Sequence, residues 1–253
     1  MPDAAGVARA ALGLAGPLEL LRASDGGAVY RSAAGIVRVA SGGADLVELA
    51  ADLAGAGAPI AAPLAGPVAA DGRVVSLWQD VPDDGSRDPA AMGRALAAFH
   101  VAGGPFRDRA PRWDPLAWLD ARGVVGPIRE RAAGLVGALD GPPVLLHTDA
   151  HVGNFRVADG RAVLVDLEQM AVGPALYDLA ALEVTERRFR GDRTIFRAFA
   201  TAFGADPDDP RLPPLIALRE ALAVGFVAGI GRPDVAAERL AQLDDPDARW
   251  APF

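Results

Sequence analysis

The hydrophobic pattern of this chain changes near Pro82, and the change limits the folds that the sequence can adopt. Residues 18–40 alternate short extended segments with glycine-containing turns, which predicts an antiparallel meander of three strands. Residues 45–55 instead repeat apolar side chains at helical spacing and end at a glycine. After a link rich in proline and glycine, GRVVSLWQDVP predicts one more strand that runs into an acidic turn. A small sheet with one helix is therefore expected before residue 82.

From residue 83 onward the pattern is mostly helical. Asp88 is placed to cap a helix that begins at Pro89, and a second helical stretch is expected over residues 127–139. Two short apolar runs, PVLLHTDAH and RAVLVDLE, predict strands that each end in acidic residues. We therefore predict an α+β protein with two lobes, residues 1–82 and 83–253, that share one cleft.

Composition excludes several classes of protein. The chain has no Cys, which excludes disulfide frameworks and thiol nucleophiles, and all 25 of its basic residues are Arg. Without Lys, neither a Walker phosphate loop nor a pyridoxal phosphate enzyme with its Schiff-base Lys is possible in standard form. The apolar runs are too short for a membrane span, and the formal net charge of −8 disfavours nucleic acid as a partner. We expect a soluble cytoplasmic protein that binds neither nucleic acid nor membrane.

The polar residues at the ends of the two apolar runs suggest a metal and phosphate site. Asp149 and Asn154 are five positions apart, a spacing that one loop can fold around a point, and Asp166 follows the neighbouring predicted strand. Carboxylate and amide oxygens, without thiolates, suit Mg²⁺. Phosphoryl transfer needs such a set, because one acid orients the attacking hydroxyl and the other groups hold metal against a triphosphate.

The segment HTDAHVGN, followed by VDLE and then GPALYDLA, resembles the aminoglycoside phosphotransferase and choline kinase family of small-molecule kinases. Other segments agree in order: SDGGAVYR resembles the nucleotide-covering hairpin, SLWQDVP the hinge between lobes, and GRALAAFH the first large helix of the second lobe. The resemblance spans about residues 18–230. It implies a two-lobed protein-kinase-like fold, with a small antiparallel-sheet N-lobe and a larger, mostly helical C-lobe.

The resemblance assigns roles to residues of the second lobe. It implies that Asp149 is the catalytic base or hydroxyl-orienting acid and that Asn154 and Asp166 hold Mg²⁺. Structural support of the site is expected from three further residues: His147, His151 and Asp178. Glu168 has two open interpretations, which are assistance to the metal or a surface ion pair.

The resemblance also implies a site for ATP or GTP in the first lobe. Arg38 stands where the family has its phosphate-anchoring residue, usually Lys, and Glu48 is its expected partner on the following helix. Asp45 and Asp52 compete with Glu48 for this role, one helical turn away. Arg keeps the charge, but its planar guanidinium differs in shape from an ammonium group. The remaining residues expected to bind the nucleotide are Ser24, Gly26, Gly27, Gln79 and Val81.

The implied reaction is transfer of the γ-phosphate to a hydroxyl group of a small molecule. The second lobe contains acidic residues that would suit a cationic acceptor, namely Glu183, Glu186, Asp192 and Glu220. An aminoglycoside-type antibiotic is therefore the first expectation, and with it a role in antibiotic resistance. The alternatives are another antibiotic, such as a macrolide or a peptide, and a metabolite such as choline or a sugar.

Two other classes of function stay open. His147, Asp149 and His151 alternate along the chain as ligands on an extended segment would, which allows a metal-dependent hydrolase. The Arg at position 38, where the family usually has Lys, allows a nucleotide-binding pseudokinase without activity. His100, near the end of an apolar helical stripe, is interpreted as a packing residue and not as a ligand.

Overall fold

A computed structural model describes residues 3–24, 27–190 and 194–251. Its first part is an antiparallel sheet of five strands in the order β1-β2-β3-β5-β4. The strands are β1 Glu19–Ser24, β2 Gly27–Ser32, β3 Gly35–Ala40, β4 Pro63–Ala70 and β5 Arg73–Trp78. The predicted three-strand meander and the later strand in GRVVSLWQDVP are therefore confirmed.

Strand β4 is absent from the sequence-based prediction, which treats this segment as a link. Its sequence, PLAGPVAA, contains two prolines. The strand lies at the edge of the sheet, where it pairs with β5 alone and with two irregularities of register. Proline is tolerated at such an edge because one side of the strand needs no ladder hydrogen bonds. A composition rich in proline and glycine therefore predicts a link here, although an edge strand can contain these residues.

Two helices flank the sheet. Helix α1 (Ala4–Leu12) packs on the sheet, and together they form a small core cluster that is separate from the main core. Helix α2 (Ala44–Gly55) belongs to the larger core cluster, which continues into the helical part of the chain. The residues that α2 buries are Val47, Leu49, Ala50 and Leu53. The predicted amphipathic helix over residues 45–55 is confirmed, and its apolar face joins the sheet to the rest of the protein.

The second part of the chain is mostly helical, as predicted. Asp88 caps α3 by accepting the N–H groups of Ala90 and Ala91 at 2.9 and 3.0 Å, and Pro89 begins the helix. The α-helices are α3 Pro89–Gly103, α4 Pro115–Asp120, α5 Pro127–Ala133, α6 Leu176–Thr185, α7 Thr194–Phe203, α8 Leu212–Gly229 and α9 Pro233–Ala241. A π-helical turn, Glu186–Arg190, extends α6, and short 3₁₀ helices cover Gly104–Arg109, Val136–Leu139 and Val152–Asn154.

The helix expected over residues 127–139 is shorter than predicted. It stops at Ala133 and is followed, after Gly134 and Leu135, by the separate 3₁₀ turn Val136–Leu139. Glycine has a low helix propensity, so Gly134 and Gly137 disfavour continuation of the α-helix beyond Ala133.

Two small antiparallel pairs of strands support the candidate site. Strand β6 (Pro143–Leu146) pairs with β9 (Ala171–Pro174), and β7 (Phe155–Ala158) pairs with β8 (Arg161–Leu164). Asp166 was expected from a strand beside the one that precedes Asp149, and this is wrong, because β6 and β8 belong to different pairs. The loops after β6 and β8 nevertheless bring both acids to the same cleft. The lobe boundary at residue 82 stays a prediction, and residues 79–88 join β5 to α3.

Helix α8 is apolar and 18 residues long, which is enough to cross a bilayer, and 56% of it is buried within the protein. It packs against α5, α6 and α9. We interpret α8 as a core helix of the second part of the chain, since its buried residues belong to the large core cluster.

Candidate active site

The loop that follows β6 is held by one buried carboxylate. Asp178, in the first turn of α6, is fully buried and accepts the N–H of His147 at 2.9 Å and that of Thr148 at 2.7 Å. Thr148 has φ +69°, a conformation that a β-branched residue rarely adopts. Its hydroxyl also donates to the carbonyl of Gln169 at 3.0 Å. These bonds hold the strained backbone that places the next residue, Asp149, in the cleft.

His147 links the loop to the segment after β8. Its ring is fully buried, and Nε2 lies 2.8 Å from the carbonyl oxygen of Val165. The N–H of Asp149 donates to Nδ1 at 3.3 Å, so the proton of the neutral ring is on Nε2. Both ring nitrogens thus have backbone partners. His147 therefore connects the backbone at Asp149 with that of Val165, the residue before Asp166.

Asp149 is surrounded by three polar side chains. The amide nitrogen of Asn154 donates to its backbone carbonyl at 2.9 Å and to its Oδ2 at 3.3 Å. Nε2 of His151 lies 3.6 Å from the same Oδ2, and the guanidinium of Arg219, on α8, donates to Oδ1. Asp149 is only partly buried and lines the cleft. It can therefore accept a hydrogen bond from a hydroxyl group bound there.

Asp166 is the second carboxylate of the cleft, and its backbone has φ +65°. Nη2 of Arg38, on β3, lies 2.9 Å from Oδ1, and Nη2 of Arg22, on β1, lies 3.5 Å from Oδ2. Burial disfavours the charged form, but the guanidinium groups of Arg38 and Arg22 outweigh burial and lower the pKa of Asp166. Arg38 also forms an ion pair with Glu168, so Arg38 connects Glu168 and Asp166.

The predicted pairing of Arg38 with Glu48 is not found. Glu48 is exposed on α2, whereas the ion pairs of Arg38 are with Asp166 and Glu168. The physical reason is the direction of the helix face, because α2 turns its apolar stripe inward and its acids outward. The two competitors are also exposed, and one of them, Asp52, pairs with Arg109 of the second lobe.

Two of the other five residues predicted to bind a nucleotide line the same cleft. Gln79 and Val81, after β5, line it together with Trp78. Ser24 ends β1, and its backbone pairs with Gly27 on β2. A side chain at Gly27 would meet the carbonyl oxygen of Val39 at 2.2 Å, so glycine is needed for the close approach of β2 and β3. Gly26 lies outside the described residues.

The residues of the hydrolase alternative do not form a metal cluster. Among the described residues there is no group of three His, Asp or Glu side chains that could hold a metal ion in the manner of a zinc site. Both nitrogens of His147 are occupied, and Nδ1 of His151 accepts the N–H of Gly153 at 3.0 Å. Burial lowers the pKa of His151, so its ring is neutral near pH 7.

Mg²⁺ requires fewer protein ligands than zinc, and the residues of this cleft fit a Mg²⁺ site. Asp166 offers carboxylate oxygens that are partly exposed to the cleft. The amide nitrogen of Asn154 is used by Asp149, which leaves its amide oxygen as a ligand atom. One carboxylate and one amide oxygen, completed by water and phosphate oxygens, are a donor set that Mg²⁺ accepts.

Three of the four acidic residues expected to receive a cationic acceptor do not line the cleft. Glu183, Glu186 and Glu220 are buried in the second lobe, and Asp192 lies outside the described residues. Glu220 pairs with Arg187 and Arg188 at 2.5 Å each. Glu183, Glu186 and Glu220 therefore give no support to a cationic acceptor.

Two arginines of the site are absent from the sequence-based prediction. Arg22 lies on β1, two positions before Ser24 of the predicted nucleotide-covering hairpin. This position in the sequence is a signal that could identify Arg22 as a phosphate-binding residue. Arg219 lies 70 positions after Asp149, in a helix without a recognisable motif, and only the packing of α8 brings it to the loop. No signal in the sequence identifies it.

The cleft between the two lobes has a volume of about 720 Å³, which suits a nucleotide and a small second substrate. Among its described lining residues there are six arginines and three aspartates, Asp80, Asp149 and Asp166. The chain as a whole carries a formal net charge of −8. An acidic protein thus has a locally positive cleft, which favours anionic ligands such as phosphates.

A model of the phosphotransferase enzyme family matches residues 28–215. No curated protein matches the chain by sequence. Among solved structures, a choline/ethanolamine kinase family protein from Mesorhizobium loti has a TM-score of 0.71 at 21% identity, covering 96% of this chain and 92% of that one.

Two further solved structures are similar at lower identity. The amicoumacin kinase hAmiN, in complex with AMP-PNP, Ca²⁺ and Ami, has a TM-score of 0.70 at 15% identity, covering 92% of this chain and 90% of that one. A thermostable mutant of the aminoglycoside phosphotransferase APH(4)-Ia, in a ternary complex with ADP and hygromycin B, has a TM-score of 0.67 at 15% identity, with coverages of 94% and 96%. The expected two-lobed protein-kinase-like fold is thus confirmed.

Proposed function

The chain belongs to the phosphotransferase enzyme family, and we propose that it is a small-molecule kinase that uses ATP or GTP. The family fixes the enzyme class, a phosphotransferase with an alcohol group as acceptor. One observation carries the finer proposal: Asp149, Asn154, Asp166 and Arg38 line a single cleft between the sheet and the helical lobe. Similar structures in complex with AMP-PNP or with ADP support a nucleotide as donor.

In this proposal Arg38 and Arg22 neutralise the phosphates. Both guanidinium groups are already within 3.5 Å of Asp166, at the point where the triphosphate would end. Guanidinium groups bind phosphate oxygens with two parallel donors, so Arg at position 38 replaces the family's usual Lys without loss of charge. Asn154 and Asp166 would hold Mg²⁺, which supplies further positive charge at the β- and γ-phosphates when it is bound.

Asp149 orients the acceptor. Its partly exposed carboxylate accepts the hydrogen bond of the acceptor hydroxyl and directs the oxygen toward the γ-phosphorus. A bond forms between this oxygen and phosphorus, and the bond from phosphorus to the oxygen bridging the β- and γ-phosphates breaks. The hydroxyl proton passes to Asp149 and then to water. The guanidinium of Arg219 donates to Oδ1 of Asp149 and thereby fixes the orientation of this carboxylate in the cleft.

The proposed place of action is the cytoplasm, where nucleoside triphosphates are available. A role in antibiotic resistance would require an antibiotic as acceptor, and phosphorylation of an antibiotic by the purified protein would show it.

The test is consumption of ATP and GTP, with and without Mg²⁺, against aminoglycosides, macrolides, peptide antibiotics, choline, sugars and uncharged alcohols. Mass spectrometry identifies a product that carries one added phosphate group. Asp149→Asn should lower kcat by about a hundredfold to ten-thousandfold and leave the Kd of AMP-PNP nearly unchanged. Nucleotide binding without any product would favour the pseudokinase alternative, and full activity of Asp149→Asn would contradict the proposed role of this residue.

A further inference from the structure

The half of the cleft beyond Asp149 is built from α6 and α8. The nucleotide half is lined by β1, β3 and the segment after β5, whereas Asp149 contacts α8 through Arg219. An acceptor whose hydroxyl meets Asp149 therefore rests its body against the two helices. We name the apolar part of this surface the acceptor wall, which consists of Ala181, Val184, Leu222, Ala223 and Phe226.

The acceptor wall is formed by a regular stripe on each helix. On α8, Leu222 and Ala223 lie three and four positions after Arg219, and Phe226 lies four and three positions after them, which places all four on one face. Phe226 is 39% exposed although it is a large apolar side chain. Val184 and Leu222 are buried and belong to the large core cluster, so Phe226 is the large side chain of the wall that offers apolar surface to the cleft. Exposed apolar surface that faces a ligand cleft indicates an apolar ligand.

The charges around the acceptor wall oppose a polycation. Within the described lining residues, Asp149 is the one carboxylate of this half, since Asp80 and Asp166 contact arginines on the nucleotide side. Asp149 itself is paired with Arg219. An amino group placed here would lose its water without gaining an unpaired anion, and Arg219 would repel it.

Three polar side chains of the cleft, those of Trp118, Gln169 and Thr185, take part in hydrogen bonds within the protein. The indole N–H of Trp118 donates to the side-chain oxygen of Gln169 at 2.7 Å, and the hydroxyl of Thr185 donates to the carbonyl of Ala181 at 3.0 Å. These bonds lower the polarity that the surface offers to a ligand. The body of the acceptor is thus selected by apolar contact and by shape more than by a dense set of hydrogen bonds.

We propose that the acceptor is an alcohol with an uncharged, largely apolar body, and that Arg219 and Phe226 determine this specificity. The inference rests on the proposed function for the transfer step, which it leaves unchanged. It replaces the aminoglycoside-type antibiotic as the expected acceptor class. Phe226 provides contact area for the apolar body, and Arg219 excludes cations while it orients Asp149.

The first experiment compares choline with dimethylbutanol, in which a carbon atom replaces the charged nitrogen. The two alcohols have the same shape, so the ratio of their kcat/KM values reports the effect of charge alone. We expect dimethylbutanol to be preferred at least about tenfold, and we expect Arg219→Gln to reduce this preference to about twofold. Preference of the wild-type enzyme for choline or for aminoglycosides would overturn the proposal.

The second experiment measures binding without chemistry. N-phenyl-1-naphthylamine is an uncharged apolar fluorophore, and its Kd is measured in the presence of AMP-PNP, with spermine as a polycationic competitor. Phe226→Asp should raise this Kd at least about tenfold. Ile230→Asp is the matched control, because Ile230 is 47% exposed at the end of the same helix but does not line the cleft, and it should change the Kd by less than about twofold.

The two experiments separate the inference from the proposed function. Binding of the fluorophore that depends on Phe226, without any phosphorylated product, would support the acceptor wall and contradict the kinase activity. Phosphorylation of a polycation in preference to uncharged alcohols would support the kinase activity and overturn the inference. Equal effects of Phe226→Asp and Ile230→Asp on fluorophore binding would overturn it as well.

Discussion

The Nε2 atom of His100, on α3, lies 2.9 Å from Oδ2 of Asp178, on α6, and both side chains are buried. The same carboxylate accepts two backbone N–H groups of the loop that leads to Asp149. One side chain therefore connects α3, α6 and the active-site loop. His100, interpreted from the sequence as a packing residue, also packs edge-to-face on Phe203.

Asp178→Asn should weaken both stability and activity. The new amide group offers one acceptor oxygen and an NH₂ group, and the latter would face an N–H donor. We expect the free energy of unfolding to fall by about 1–3 kcal/mol, since a buried donor loses its partner. Urea unfolding and kcat measure the two effects. Asp159→Asn, in the exposed turn between β7 and β8, is the control, and an equal loss there would contradict this explanation.

Arg38 and Glu48 should contribute very differently to nucleotide binding. Arg38 lines the cleft beside Asp166, whereas Glu48 is exposed on α2. We expect Arg38→Gln to raise the KM for ATP at least about tenfold, because a charge-assisted hydrogen bond contributes about 1.5–3 kcal/mol. Glu48→Gln should change the same KM by less than about twofold. Similar losses in both variants would mean that the two residues pair when the nucleotide is bound.

His151 should titrate below the ordinary pH range of histidine. Burial lowers its pKa, while the negative charge of Asp149 acts in the opposite direction and Arg219 adds to the lowering. The ring signals of the three histidines in the chain can be followed by NMR as the pH changes. Asp149→Asn should lower the pKa of His151 further, and Arg219→Gln should raise it. Shifts of the opposite sign would contradict the described contacts.

The same shift makes a prediction about stability. In the unfolded chain His151 takes up a proton near its ordinary pKa of 6.5, whereas in the folded protein it stays neutral to lower pH. The unfolded state therefore binds more protons in this interval, and the stability of the protein should fall as the pH drops below about 6.5. His151→Gln should reduce this slope in urea unfolding measured between pH 5 and pH 7.5, and an unchanged slope would exclude His151 as its cause.

Arg188 should be important for stability although it lies outside the cleft. Its side chain is fully buried, binds Glu220 at 2.5 Å and donates to three backbone carbonyl groups of residues 243–248. Removing one partner of such a buried network costs about 3–5 kcal/mol, which we expect for Arg188→Ala in urea unfolding. Limited proteolysis should then cut within residues 243–251. Arg197→Ala, which breaks an exposed ion pair with Asp208, is the control and should change little.

The parts of the site that could be predicted from the sequence are those in which short loops follow strands. The loop after β6 carries Asp149 and Asn154 within eight residues, and the loop after β8 carries Asp166, so local geometry limits where these side chains can point. Arg219 could not be predicted, because its contact depends on the packing of α8 against α6. Glu48 could not be placed from the sequence for a similar reason. The helix that carries it is predicted correctly, but the direction of its side chain depends on which face of the helix packs against the core.

The two faces of α8 have a consequence for how this enzyme could acquire new substrates. Leu215, Leu218 and Val224 hold the core, so replacements there would unfold the lobe before they alter selectivity. Positions 223 and 226 face the cleft, are less buried and do not contact Asp149, so they tolerate exchange at lower cost. Natural or laboratory diversification that is confined to these two positions can therefore explore many acceptors while the rest of the helix stays constant.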